Sequence, residues 1–273
     1  MLSLLSMISI VSAKEIVLSA GLKDFTDQQL AEQYQRYENY LPFITASSIL
    51  VYEIGLNGTL QHYNISSKEY TAETYQQSLK KNLGLKSYPC IFCDSTLNGI
   101  CDNIDLRLNN VLKRKEEFIL ESIGLAKKYE YDGYYLDLEG VTNVDQYLLT
   151  DFVNQWATAI APYHLKLRVW IGPGTPFLLE KLLENCYTEI ASFDTYTDDY
   201  QTFVNQASKY FNQICNKSHL SYGLLTYDTT LATKNTIHDI FEYITDIDVG
   251  SVTFWASTLP GHWLGTLKTF LSK

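Results

Sequence analysis

The chain is short of the residues that break, bridge or anchor a polypeptide, and each shortage removes a class of structure. Proline occurs 6 times and glycine 14 times in 273 residues, and no Pro/Gly/Ser-rich linker, low-complexity tract or block of like charge interrupts the sequence, so nothing divides it into separate domains. The apolar N-terminal run MLSLLSMISIVSA is too short to span a bilayer. Cations are scarce as well: 21 Lys and Arg stand against 31 Asp and Glu, a formal charge of −10. Nucleic acid or an anionic membrane would meet net repulsion, so a neutral ligand suits the chain better. The 5 histidines (His62, His164, His219, His238 and His262) lack metal-ligand spacing. Cys90 and Cys93 have the C-x-x-C spacing, but no second such pair or H-x-x-x-H follows to complete a metal site. No metal or other cofactor is expected.

What is present points outward from the cytosol. Residues 1–13 end in Val11-Ser12-Ala13, small residues that signal peptidase accepts, and polar Lys14-Glu15 follow at once. They read as a cleaved signal, leaving residues 14–273 as the mature domain. Asn-x-Ser/Thr sequons at Asn57, Asn64 and Asn216 fit a glycoprotein on the secretory route. The expected location is secreted, or a lysosomal or vacuolar lumen, with no membrane contact after cleavage and a monomeric state. With 5 cysteines, at least one thiol is left without an intramolecular partner. For the C-x-x-C pair, a structural disulfide or plain buried thiols are expected over zinc or redox work.

Past the signal, strand-like runs alternate with amphipathic helical stretches. Strands are expected at 15–22, 48–55, 86–92, 131–139, 165–172, 189–196, 220–227 and 250–257. Helices are expected at 27–40, 68–83, 104–128, 144–161, 177–186, 200–215 and 231–244, and from His262 onward. Eight strand–helix units of this kind imply an α/β protein formed of a single (β/α)8 barrel without a sizeable insertion domain. Such barrels place their chemistry at the carboxyl ends of the strands.

The fourth expected strand, YDGYYLDLEG at 131–140, carries two carboxylates inside an otherwise buried run. Side chains alternate along a strand, so Gly133, Tyr135, Asp137 and Glu139 share one face, while Tyr134, Leu136 and Leu138 face the helices. Asp137 and Glu139 then point into the upper barrel, roughly 6–7 Å apart along the strand. An ion pair with Arg168 on the next strand is the structural alternative. Two neighbouring buried carboxylates are costly, however, and push each other's pKa apart, which is the behaviour of an acid and its partner.

DGYYLDLE resembles the D-G-x-D-x-D-x-E signature of family 18 glycoside hydrolases, the chitinases and endo-β-N-acetylglucosaminidases, which lies on the fourth strand of a (β/α)8 barrel. Asp132, Gly133, Asp137 and Glu139 match, while Tyr135 stands where the family has its middle aspartate. DTYTDD at 194–199 is similar to the sixth-strand M-x-Y-D motif with Tyr196 retained, and VTFWAS at 252–257 is similar to the eighth strand with Trp255. The third-strand S-x-G-G pattern is absent, CIFCDS standing there instead.

The resemblance implies a retaining glycosidase cleaving N-acetylglucosamine-β-1,4 linkages in chito-oligosaccharides or the chitobiose core of N-glycans. Glu139 would be the general acid and base, Asp137 would steady the substrate's acetamido group as its carbonyl attacks the anomeric carbon, and Tyr196 would donate a hydrogen bond to that group. Trp255 would form the floor under the reacting sugar. Tyr135, Asp194, Tyr227 and Asp228 complete the expected substrate contacts. The competing reading is a catalytically silent, lectin-like barrel that binds the same glycans, since fold does not fix function.

Overall fold

Eight parallel strands close on themselves, each hydrogen-bonded to two others of the ring. The computed structural model describes residues 14–95, 101–197, 199–225, 234–255 and 258–273; the expected signal at 1–13 lies outside the described residues. The ring is built from β1 (Glu15–Ala20), β2 (Ala46–Ile54), β5 (Cys90–Asp94), β6 (Gly133–Glu139), β7 (Lys166–Ile171), β8 (Thr188–Ser192), β9 (Leu220–Leu225) and β10 (Ser251–Trp255). The β1–β10 and β1–β2 pairings close it. Two short strands are extra: β3 (Leu60–His62) folds back antiparallel on β2, and β4 (Lys86–Ser87) pairs with the start of β2. The chain is thus a (β/α)8 barrel, and residues 226–233 leave no length for an insertion domain between β9 and the next helix.

Outside the ring run α1 (Asp27–Tyr40), α2 (Ala72–Leu83), α3 (Ile104–Lys113), α4 (Lys115–Tyr129), α5 (Gln146–Ile160), α6 (Leu179–Leu183), α7 (Tyr200–Phe211), α8 (Lys234–Asp246) and α9 (Leu264–Leu271). Local signals set several starts. Thr26 and Thr71 each form a capping box with the residue three positions on, and Asp145 and Asp199 accept from the amides of Leu148 and Thr202. The single helix expected at 104–128 is in fact two, broken at Arg114. The backbone of α3 at Asn110 meets Gly58 of the β2–β3 turn, and Phe118 of α4 packs edge-on to Phe152 and Trp156 of α5. The C-x-x-C spacing is not a disulfide. Cys93 pairs with Cys101 and Cys186 with Cys215, leaving Cys90 as a buried free thiol.

The barrel floor holds a buried charge cluster. Arg168, 1% exposed, donates to Glu189 Oε2 at 2.6 Å, Glu15 Oε2 at 2.5 Å and Tyr135 Oη at 3.2 Å, with its guanidinium stacked 4.3 Å over the Tyr88 ring. Lys86 reaches Glu15 at 2.5 Å and Lys166 reaches Glu189 at 2.9 Å. Tyr135 Oη continues to Thr253 at 2.7 Å, and Thr253 to Ser221 at 2.7 Å. Burial pushes Glu15 and Glu189 up, but the surrounding cations, Arg168 first, overcome it and hold both below the usual carboxylate value. A carboxylate held low when folded stabilises the fold above its unfolded pKa of about 4.3 and loses that contribution as pH falls. We therefore expect urea unfolding to show stability declining below about pH 4. Arg168→Met, which strands two buried carboxylates, should cost about 3–5 kcal/mol at pH 7 in the same measurement.

Candidate active site

Asp137 and Glu139 stand on the inward face of β6 at its carboxyl end, as strand parity requires. The strand begins by a tight passage: a Cβ at Gly133 would lie 2.1 Å from the Lys166 carbonyl oxygen, so only glycine lets β6 approach β7 there. Asp132, just before it, spends its carboxylate on the Ser87 amide at 2.7 Å and Lys80 at 2.8 Å. Those two residues position the strand, whose last two inward residues are Asp137 and Glu139.

Above the floor the barrel opens into a hollow of about 240 Å³. Three carboxylates face it, Asp94 from the end of β5 together with Asp137 and Glu139. Its walls are aromatic: Phe92, Trp170, Phe193, Tyr196 and Trp255. Asp137 is 8% exposed, whereas Glu139 reaches solvent at the mouth. Arg168 serves neither, being committed to Glu15 and Glu189, so the ion-pair alternative does not hold for it. Burial, then Glu139, then Asp94 push Asp137 well above its ordinary value; burial and Asp94 raise Glu139.

Glycine makes room for the aromatic wall. A Cβ at Gly223 of β9 would lie 2.6 Å from the Tyr196 ring and 3.1 Å from that of Trp170. Tyr196 itself sits in a turn, its amide bonded to the Phe193 carbonyl at 3.1 Å, because β8 ends at Ser192 rather than continuing to 196.

That early ending corrects one expectation. Asp194 was expected to share the face of Tyr196 by strand parity, but off the strand it turns to accept from the Tyr210 hydroxyl and is not part of the hollow's lining. Tyr135 is also corrected: it is fully buried below the hollow, tied to Arg168 and Thr253, with no surface to offer a ligand. Tyr227 and Asp228 lie outside the described residues. Glu139, Asp137, Tyr196 and Trp255 come together around the one hollow. Sequence reasoning missed Asp94, Phe92 and Phe193 and left Trp170 undecided. Parity with Cys90 on β5 would have pointed Phe92 and Asp94 inward.

Two other features lie away from this mouth. A larger groove of about 340 Å³ runs outside the barrel between α8 and α9, lined by Phe241, Glu242, His262 and Phe270 among others. Beside it, exposed His238, Asp239 and Glu242 of α8 bring potential ligand atoms within 4.8 Å of one another, a proximity that the sequence spacing had not suggested. Neither feature contains strand-end carboxylates.

No protein-family model matches the chain, and no curated protein matches it by sequence. Solved structures do. A chitinase from Chromobacterium violaceum superposes with a TM-score of 0.72 at 11% identity, over 95% of this chain and 99% of that one. The fold is that of the chitinases. The Bacillus megaterium spore cortex-lytic enzyme SleL gives 0.71 at 10% identity, over 95% of this chain and 73% of that one. A Nicotiana class V chitinase variant in complex with NAG4 gives 0.68 at 12% identity, over 95% and 99%. A GH18 chitinase from Flavobacterium johnsoniae is also similar, with a TM-score of 0.67 at 12% identity over 95% and 94%.

A carboxyl group whose pKa is raised on folding lowers stability once pH exceeds its unfolded value, because the folded state must hold a proton that the unfolded chain gives up. Asp137→Asn should therefore raise Tm at pH 7, on the order of 2–4 °C for a gain of about 1 kcal/mol. The gain should vanish near pH 4, as differential scanning calorimetry at the two pH values would register.

Proposed function

We propose that this protein is a retaining glycosidase of family 18 that cleaves N-acetylglucosamine-β-1,4 linkages. The carrying observation is the Asp137–Glu139 pair, one buried and one at the mouth, inside an aromatic hollow at the carboxyl end of a chitinase-fold barrel. Glu139, raised by burial and reachable from solvent, suits the acid that protonates the leaving oxygen. Asp137 sits deeper, where it can accept from the acetamido N–H and balance the positive oxazolinium formed when the substrate's own carbonyl attacks the anomeric carbon. Tyr196 donates to the same group, and Trp255 packs against the C–H face of the ring. Water then opens the oxazolinium with Glu139 as base, and configuration is retained.

The volume of about 240 Å³ falls below that of drug-sized pockets, about 300–1,000 Å³, so it suits one ring held deeply with the rest of the glycan lying across the mouth. Short chito-oligosaccharides or the chitobiose core of N-glycans fit that description. NAG4 bound to the tobacco enzyme supports the ligand class.

The same reading carries the location. Two disulfides fit an oxidising compartment, Asn57, Asn64 and Asn216 are all exposed, and no helix among the described residues is long and apolar enough to cross a membrane. We take residues 1–13 as the signal, 14–273 as the working domain, and the protein as a secreted or lumenal monomeric glycoprotein.

A fluorogenic di-N-acetylchitobioside should release dye with the wild-type protein. Glu139→Gln should lower kcat about 10²- to 10⁴-fold while calorimetry shows the ligand still bound. Trp255→Ala should instead weaken binding about tenfold, the loss of one packed aromatic face. Binding without dye release, unchanged in Glu139→Gln, gives the lectin reading in its place.

A further inference from the structure

Asp94 has no part in the roles assigned above, yet the fold delivers it to the acid. It ends β5 in direct register with Glu139 on β6, and Phe92 is likewise opposite Asp137, so both inward faces present their polar ends at the same height. Adjacent strands lie about 4.8 Å apart, which places these two carboxylates side by side. The strand ends cannot splay: the Ser95 amide donates to the Glu139 carbonyl at 3.3 Å and the Ser95 hydroxyl to the Gly140 carbonyl at 2.8 Å. One residue earlier, Cys93 is fixed by its disulfide to Cys101. Asp94 is 3% exposed, so water does little to screen it.

Among the described residues that line the hollow, the charged groups around Glu139 are of one sign. Its own strand offers Asp137 and β5 offers Asp94, with the buried Cys90 thiol beneath them held neutral by that burial. The segment after β8 contributes Tyr196, and β7 and β10 contribute only the indoles of Trp170 and Trp255. Glu53 of β2 lies against Cys101, and Asp105 of α3 accepts from Thr142 of the loop after β6. No Lys, Arg or His among the described residues lines the hollow.

We propose that Asp94 is a positioning residue for Glu139, its buried carboxylate across the strand gap keeping the acid's proton in place until the leaving oxygen takes it. This rests on the glycosidase reading. The raised pKa of Glu139, to which Asp94 contributes after burial, is consistent with it.

The test is Asp94→Asn, which keeps the shape and removes the charge. The side-chain carboxyl of Glu139 is followed by ¹³C NMR titration, its resonance assigned by its disappearance in Glu139→Gln, and kcat/KM is measured against pH. In Asp94→Asn, Glu139 should titrate at lower pH. The alkaline limb of the rate profile should move the same way, taking activity at pH 8 to about one-third of wild type or less while activity at pH 5 stays close to it. Asp94→Glu should restore the wild-type limb, and a Tm no lower than that of wild type in either variant separates charge from loss of folding. Identical Glu139 titrations in wild type and Asp94→Asn overturn the proposal. If the wild-type protein releases no dye, the glycosidase reading fails, yet the titration still decides whether Asp94 governs the Glu139 proton.

Discussion

The closed barrel depends on one guanidinium. Arg168 is fully buried, and its donors join β7 to β1 through Glu15, to β8 through Glu189 and to β6 through Tyr135. Tyr135 passes the connection to β10 through Thr253, and Thr253 passes it to β9 through Ser221. Lys86 and Tyr88 bring in the chain beside β2 and β5. Strands far apart in sequence, Glu15 and Arg168 being 153 residues apart, are thereby held in one register. An apolar plug of similar volume would be as stable or more so, but it would not discriminate between registers as a fixed fork of donors does.

The floor explains the mouth. Buried carboxylates occur at both levels of the barrel, and their surroundings give them opposite characters. Glu15 and Glu189 sit among Arg168, Lys86 and Lys166 and are held as anions. Asp137 and Glu139 sit among aromatic rings and each other's charge, and are driven toward their protonated forms. The cations are spent below, and among the described residues none lines the hollow to neutralise the pair above. The same kind of side chain is therefore a charged structural strut at one height and is driven toward its neutral form one layer higher.

Strand periodicity carried most of the architecture into the sequence. Eight strands and the inward face of β6 with Asp137 and Glu139 follow from alternation and the order of elements, while Tyr196 and Trp255 were pointed to by the resemblance to family 18. What escaped were features set by long-range contact. The break at Arg114, where the backbone leaves helical geometry at φ −129° and ψ 33°, is not encoded in periodicity. Asp194 was placed by extending parity past Ser192, where the strand had already ended. Asp94 lies two residues past the end of the strand expected at 86–92, whereas β5 runs on to Asp94 with Cys90, Phe92 and Asp94 inward. The disulfide partners were likewise invisible: the C-x-x-C spacing left a disulfide or buried thiols open, but a strand points Cys90 and Cys93 to opposite faces, and Cys93 meets Cys101 just before α3.

Tyr135 makes the consequence of that floor concrete. An aspartate at this position, two residues below Asp137 on the same face, would hang between the two layers and could trade a proton upward. The tyrosine is longer, and its hydroxyl is drawn down to Arg168 at 3.2 Å and Thr253 at 2.7 Å, while its ring packs 5.7 Å from that of Trp170. The hydroxyl is committed below, and the ring closes the hollow from beneath as an apolar lid over the charged floor. Burial raises its pKa, so its hydroxyl stays neutral in its hydrogen bond with Thr253. The hollow above it presents aromatic walls and three carboxylates, while the buried Tyr135 keeps its hydroxyl with Arg168 and Thr253.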